Sequence, residues 1–203
     1  MTSEENPSQR VIGRAGSYEK GVARRQEILE RAAQVFRERG ADGTSLRRIA
    51  ALIGVSHAAL LHYFDSREQL LVAVYEHEES QRPHREGDSS STVDVLVEAA
   101  MLNAGVPGMV ELYTTLVASA LAAEGTPSHE FFSARFARIR EELTRRFTEE
   151  QAAGRLRDDV EPADMAALLI AASDGLQIQW LLEPSVELER TLGTFAVLFA
   201  PTS

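Results

Sequence analysis

His57 and His62 bring the most versatile hydrogen-bonding side chains in this sequence, since each imidazole offers a donor and an acceptor. With Ser56, Ala58 and Ala59 they form a short surface in SHAALLHY that mixes polar atoms with methyl groups. That mixture suits the edges of base pairs in a DNA major groove: imidazole and hydroxyl for donors and acceptors, alanine for the thymine methyl. The same histidines are poorly spaced for a metal. They stand five apart rather than four, and His77, His84 and His129 supply no partner at helical spacing. The sequence contains no Gly-x-Ser-x-Gly elbow, phosphate loop or dinucleotide fingerprint, and Ser173-Asp174 is only an adjacent pair. Enzymatic, metal-binding and cofactor-dependent chemistry are therefore not expected.

Two short helices must hold this surface in place. Thr44 and Ser56 each precede a short run with helical spacing and are the expected N-caps. Between them Ala50 permits a close helix crossing and Gly54 tolerates a positive φ, so the connection is expected to be a tight turn. Ile49, Ile53, Val55 and Leu60 supply the apolar faces, which leaves Arg47, Arg48, His57 and His62 to face outward. Ser66-Arg67-Glu68-Gln69 has the Ser-x-x-Gln form of a capping box and opens a further helix to about Ser80. A helix-turn-helix followed by a long third element is the reading.

These residues resemble the N-terminal domain of the tetracycline-repressor (TetR) family of bacterial transcription regulators. The resemblance rests on Thr44-Ser45, Ile49-Ala50, Gly54-Val55-Ser56, the aromatic pair Tyr63-Phe64 and Ser66-Arg67-Glu68, in that order. It covers residues 20–80 closely and the remainder in architecture. It implies an all-α, nine-helix protein whose N-terminal domain binds DNA and whose C-terminal domain dimerises and binds a small effector. Three positions depart from the pattern: Leu61 stands where Tyr is common, Ala58 where Gly is frequent, and Arg67 where Lys is usual. On this basis Thr44, Ser45 and Arg47 are expected at the phosphate backbone, with hydroxyls and first-turn amides favouring an anion. Ser56, His57, Ala58, Ala59 and His62 are expected at the bases, Tyr63 and Arg67 at phosphates, and Phe64 in the core.

The net charge of −10 argues at first against a polyanionic partner, but its distribution argues for one. From Arg10 to Arg67 there are eleven Lys or Arg against six Asp or Glu; from Gln81 onward there are ten against nineteen. A basic end can approach phosphates while the acidic end stays away. The absence of cysteine excludes disulfides, thiolate metal sites and a thiol nucleophile, and fits a reducing cytoplasm. No stretch near the N-terminus has an apolar core of signal-peptide length, and Asp174 interrupts the most apolar later segment, so a cytoplasmic protein without a membrane span is expected.

Along the chain, residues 1–18 read as a disordered arm, 19–65 as the helix-turn-helix domain, 66–80 as a bridging helix, 81–91 as a loop and 92–203 as the second domain. Ile28, Leu29, Ala32, Ala33 and Phe36 form one stripe of a first helix closed by Gly40. Later helices are expected at about 92–104, 107–123, 128–153, 162–182 and 186–199. Pro107 and Pro162 would lie in first turns, Ser128 and Ser185 at N-caps, and Gly125 and Gly154 at stops. Residues 165–182 are apolar around nearly the whole circumference, which requires cover on two sides. With Leu188, Leu192, Phe195 and Phe199 on the last helix, they suit a homodimer interface that would present two recognition helices to a palindromic operator. Met101, Tyr113, Phe132, Phe136, Gln177 and Trp180 are candidates to line a pocket for a small, largely hydrophobic effector, although aromatic and Met side chains at this spacing equally fill a core. The resemblance implies that effector binding moves the bridging helix. A DNA-binding regulator that ignores ligands and a small helical enzyme are the competing readings.

Overall fold

Gly54 decides how the first domain folds. It ends a short helix at φ +73°, a left-handed conformation that costs any residue with a Cβ, and its neighbour Val55 donates to the Ala50 carbonyl at 2.9 Å to close the turn. Arg31 of the preceding helix donates to the Ile53 carbonyl at 3.0 Å and so secures the same corner from outside. The computed structural model describes residues 15–39, 45–81, 91–106 and 108–202. Among these are nine helices and no strands: α1 (Ala15–Arg39), α2 (Leu46–Ile53), α3 (His57–Tyr63), α4 (Arg67–Ser80), α5 (Thr92–Gly105), α6 (Met109–Ala122), α7 (Pro127–Ala152), α8 (Pro162–Leu182) and α9 (Leu188–Leu198).

Several local expectations shift by one or two residues. The cap of α2 is Ser45, whose hydroxyl accepts from the Arg48 amide at 3.3 Å; Thr44, expected there, lies outside the described residues. Ser56 caps α3 as expected, accepting from the Ala59 amide at 3.0 Å. Ser66 caps α4 and accepts from the Gln69 amide, but the Gln69 side chain returns to the Asp65 amide at 2.6 Å, so the box closes one residue early. The reciprocal box forms at α5 instead, between Ser91 and Asp94. Thr126, not Ser128, caps α7 with Pro127 in the first turn, and Glu187, not Ser185, precedes α9. In both cases a better-placed start lies within two residues, and the displaced serine is absorbed: Ser128 into the buried first turn, Ser185 onto Glu183. α6 begins at Met109 after Gly108, while Pro107 and Gly40 fall outside the described residues. α6 also ends at Ala122, three residues before Gly125, whereas Gly154 follows the end of α7 at φ +68°. α1 is already helical at Ala15, so the expected arm is described only for its last four residues; residues 1–14 lie outside.

Two apolar cores organise these helices. The larger gathers Ile28, Ala32, Phe36, Ile49, Ile53, Leu60 and Phe64 of the first domain and runs through Leu70–Tyr75 of α4 to Leu112, Leu116 and Phe132 of α6 and α7. The smaller joins Val93, Phe147, Met165, Leu169 and Phe199 at the far end. There the buried Glu150 carboxylate accepts from both the amide and the hydroxyl of Thr92, at 2.8 and 2.6 Å, tying the start of α5 to α7. α8 is long and apolar enough by composition to cross a membrane, yet it packs along α7 and against α5, α6 and α9. Its uncovered side carries Leu168, Ile178 and Leu182, and α9 adds Val197 and Leu198.

Replacing Gly54 by Ala leaves room for the methyl, whose nearest neighbour would be Arg31 at 3.8 Å, but imposes the left-handed penalty. Gly54→Ala is expected to lose about 1–2 kcal/mol and Ser56→Ala about 1 kcal/mol, measured by urea unfolding. An unchanged Gly54→Ala midpoint would mean that the turn relaxes.

Candidate functional site

The surface of α3 is set from beneath. Leu60 and Phe64 are fully buried, Ser56 fixes the first turn, and Arg25 of α1 stacks over the Phe64 ring at 5.1 Å. The opposite side is left to solvent: Ala58, Leu61 and His62 are exposed, and His57, Ala59 and Tyr63 are half-buried. His62 meets the Tyr63 ring edge-on at 5.0 Å. Ser45, Arg47 and Arg48 are exposed at the start of α2, and Arg67 is half-buried at the start of α4. Of the ten side chains expected at DNA, nine are therefore partly or fully accessible around α2, α3 and the start of α4, and Thr44 lies outside the described residues. Leu61, 41% exposed, is accessible beside them, although its place in the family pattern suggests only the loss of a Tyr hydroxyl. One turn beyond Ala58 or His57, it extends the apolar part of the face.

A second group of chemistry-bearing residues lies behind α4. Tyr75, fully buried, is ringed by Tyr113 of α6 at 5.8 Å and by Phe131 and Phe132 of α7 at 6.0 and 5.8 Å, and Phe136 continues the set at 6.2 Å from Phe132. Into this aromatic group α7 inserts a cation. The Arg135 guanidinium lies 5.7 Å from the centroids of both Tyr75 and Tyr113, and donates twice to Glu79 of α4, at 3.0 and 2.8 Å. Burial works against the Arg135 charge, but Tyr75, Glu79 and Tyr113 outweigh it and raise its pKa. Asp174 of α8 faces the same space. Burial raises the pKa of its carboxyl, opposed by the Tyr113 hydroxyl and the Arg135 charge. Burial, and then Asp174, push the Tyr113 phenol well above its ordinary value, although its hydroxyl has no hydrogen-bond partner of good geometry.

Of the expected pocket residues, the structure brings together Tyr113, Phe132 and Phe136. Gln177 is buried but spends its amide on Asn103 and Ser173. Met101 is 38% exposed on α5, and Trp180 is half-buried near the end of α8. Tyr75, Glu79 and Arg135 were not singled out from sequence. Arg135 and Glu79 are 56 residues apart on different helices, and no local pattern pairs them.

Sequence comparison covers both domains. Residues 28–74 match the profile of bacterial regulatory proteins of the tetR family, and residues 99–196 match that of the C-terminal part of BetI-type transcriptional repressors. The chain belongs to the TetR family. It is 28% identical over 156 residues to an HTH-type transcriptional repressor of Mycobacterium tuberculosis, spanning 76% of this chain and 81% of that one. It is 43% identical over 51 residues to the repressor AcnR of Corynebacterium diphtheriae, spanning 25% of this chain and about a quarter, 27%, of that relative's length. A transcriptional regulator of Saccharomonospora viridis, solved in complex with choline, superposes with a TM-score of 0.69 at 19% identity over 86% of this chain and 95% of that one, a likeness of fold.

As a TetR-family member the chain is a DNA-binding transcription regulator and not an enzyme. The TetR frame also makes the position of α4 informative. On one side Arg37 of α1 pairs with Glu78 at 2.6 Å and Gln26 contacts His77 at 3.2 Å; on the other, Arg135 holds Glu79 and the Ser128 amide donates to Glu68 at 3.3 Å. The helix is tied to both domains. A double-mutant cycle of Glu79→Gln and Arg135→Met, read by urea unfolding, is expected to give a coupling of about 1–3 kcal/mol. A coupling near zero would show the pair to be idle.

Proposed function

We propose that this TetR-family regulator represses transcription by binding a palindromic operator as a homodimer, in the cytoplasm, and that a small, largely hydrophobic molecule releases it. The observation that carries the reading is the solvent-facing side of α3, where Ala58, Leu61 and His62 are exposed and His57 is half-buried above a buried Leu60–Phe64 foundation. A helix held this rigidly can enter a major groove and present polar and methyl contacts together. Ser56 and Ala59 would join them, while Thr44, Ser45, Arg47, Tyr63 and Arg67 would grip the flanking phosphates. Ser45 and Ser56 accept from their helix amides, which leaves each hydroxyl proton free to donate outward.

Dimerisation is supported by the uncovered stripe on α8 and α9. Leu168, Ile178 and Leu182 recur at helical spacing, and Val197 and Leu198 are 75% and 53% exposed. Apolar side chains gathered this way on a soluble regulator mark an interface. Effector response is supported by the aromatic group around Tyr75, and the choline-bound regulator of the same fold is one protein that takes a small molecule.

Selection of duplexes from a random pool tests the DNA reading directly. The selected duplex should be two-fold symmetric, and its affinity should fall by about 10³ or more between low and physiological salt if six or more phosphates are contacted. His57→Ala should relax preference at one base position while leaving nonspecific binding nearly unchanged. Enrichment of no sequence over random DNA would defeat the proposal. Ile178→Arg should turn the dimer into a monomer in analytical ultracentrifugation and weaken binding to the symmetric duplex by tenfold or more. A variant that remains dimeric would place the interface elsewhere.

A further inference from the structure

The buried group around Tyr75 holds more acid than base. Glu79 and Asp174 come from α4 and α8, and Arg135 is the cation between them, donating twice to Glu79. Arg138 approaches Glu79 only to 3.9 Å and is 68% exposed, so solvent screens it. Asp174 has no ion pair among the described residues within salt-bridge distance. Its neighbour Tyr113 is 6% exposed and its hydroxyl has no well-formed partner. The faces of Tyr75 and Tyr113 are already used as a cation site, because the Arg135 guanidinium lies 5.7 Å from each.

We propose that Arg135 is a resident substitute for the effector: an organic cation with an apolar body takes the aromatic faces of Tyr75 and Tyr113 beside Asp174, and displaces the Arg135 guanidinium that ties α7 to Glu79 of α4. This rests on the effector reading above and names the chemical class and the route of coupling. A neutral apolar molecule in the place of Arg135 would leave the Asp174 carboxylate with the Tyr113 hydroxyl and no cation, which is costly. An anion could pair with Arg135 only by replacing Glu79, and would then face Asp174. A cation replaces the charge that Arg135 withdraws and uses surfaces that already hold one. Its entry has a mechanical consequence, because Glu79 leaves Arg135 while Glu78 and His77 stay with Arg37 and Gln26 of α1. The bridging helix is thereby loosened from the effector domain and stays with the DNA-reading domain.

The test uses the full-length protein and three probes of similar size: benzyltrimethylammonium, neutral benzyl alcohol and anionic phenylacetate, titrated by calorimetry. The cation should bind at least tenfold more tightly than either other probe. Asp174→Asn, nearly isosteric and checked for fold by circular dichroism, should lose at least tenfold in cation affinity. Arg135→Met removes the resident competitor and should gain several-fold. Opposite signs for the two substitutions are the signature, since general damage to the fold would weaken both. Equal binding of the neutral or anionic probe, an unaffected Asp174→Asn, or a loss in Arg135→Met would each overturn the proposal. Fluorescence anisotropy with the selected duplex supplies the coupling: the cation should weaken duplex binding in the wild type, and cation binding without that effect would overturn the displacement step. A protein that selects a duplex yet binds none of the probes refutes the effector class alone. One that shows the charge pattern and selects no duplex refutes the repressor reading and leaves the effector class standing.

Discussion

Six consecutive residues of α4, Leu70 to Tyr75, are buried. A helix shows that pattern only when it is enclosed around its whole circumference, and here the enclosure comes from both domains: α1 on one side, α6 and α7 on the other. Leu70, Leu71 and Val74 thus belong to the same apolar core as Ile49 and Leu60 beneath the recognition helix and as Leu116 and Phe132 beyond it. No shift of α4 can leave either domain undisturbed, because close-packed interiors change between discrete arrangements rather than deform smoothly. The reading surface on α3 and the aromatic group around Tyr75 are joined by this one constraint.

Polar chemistry is distributed along α4 accordingly. Its interior is apolar, while its ends carry the directional contacts: Glu68 with the Ser128 amide at the start, and His77, Glu78 and Glu79 with Gln26, Arg37 and Arg135 at the end. The Arg37–Glu78 pair and the Gln26–His77 contact are partly exposed and individually weak, whereas the Arg135 guanidinium is the more enclosed cation and is backed by two aromatic rings. Glu150 under Thr92, by contrast, is a buried anchor in the distal core that holds α5 to α7.

Much of this was legible in the order of residues because it depends on neighbours a few positions apart. The Gly54 turn, the Ser56 cap, the stripe of α1 and the circumferentially apolar α8 all follow from spacing. Helix starts slipped where several capping residues crowd together, as at Thr126-Pro127-Ser128, since the choice among them is made by what the first turn packs against. Gln177 is a different case. A polar residue in an apolar helix suggested a ligand, and Asn103, 74 residues away, provides its partner instead.

The sequence by itself determined the helical class, the turn that makes a reading head and the identity of the side chains on that head, because each is a local consequence of backbone preference and apolar period. Tertiary structure alone decided which charges meet. Glu79, Arg135, Asp174, Tyr75 and Tyr113 come from four helices and share one buried space only after α4, α6, α7 and α8 have packed, and Coulomb and cation–π interactions depend on that proximity rather than on position in the chain.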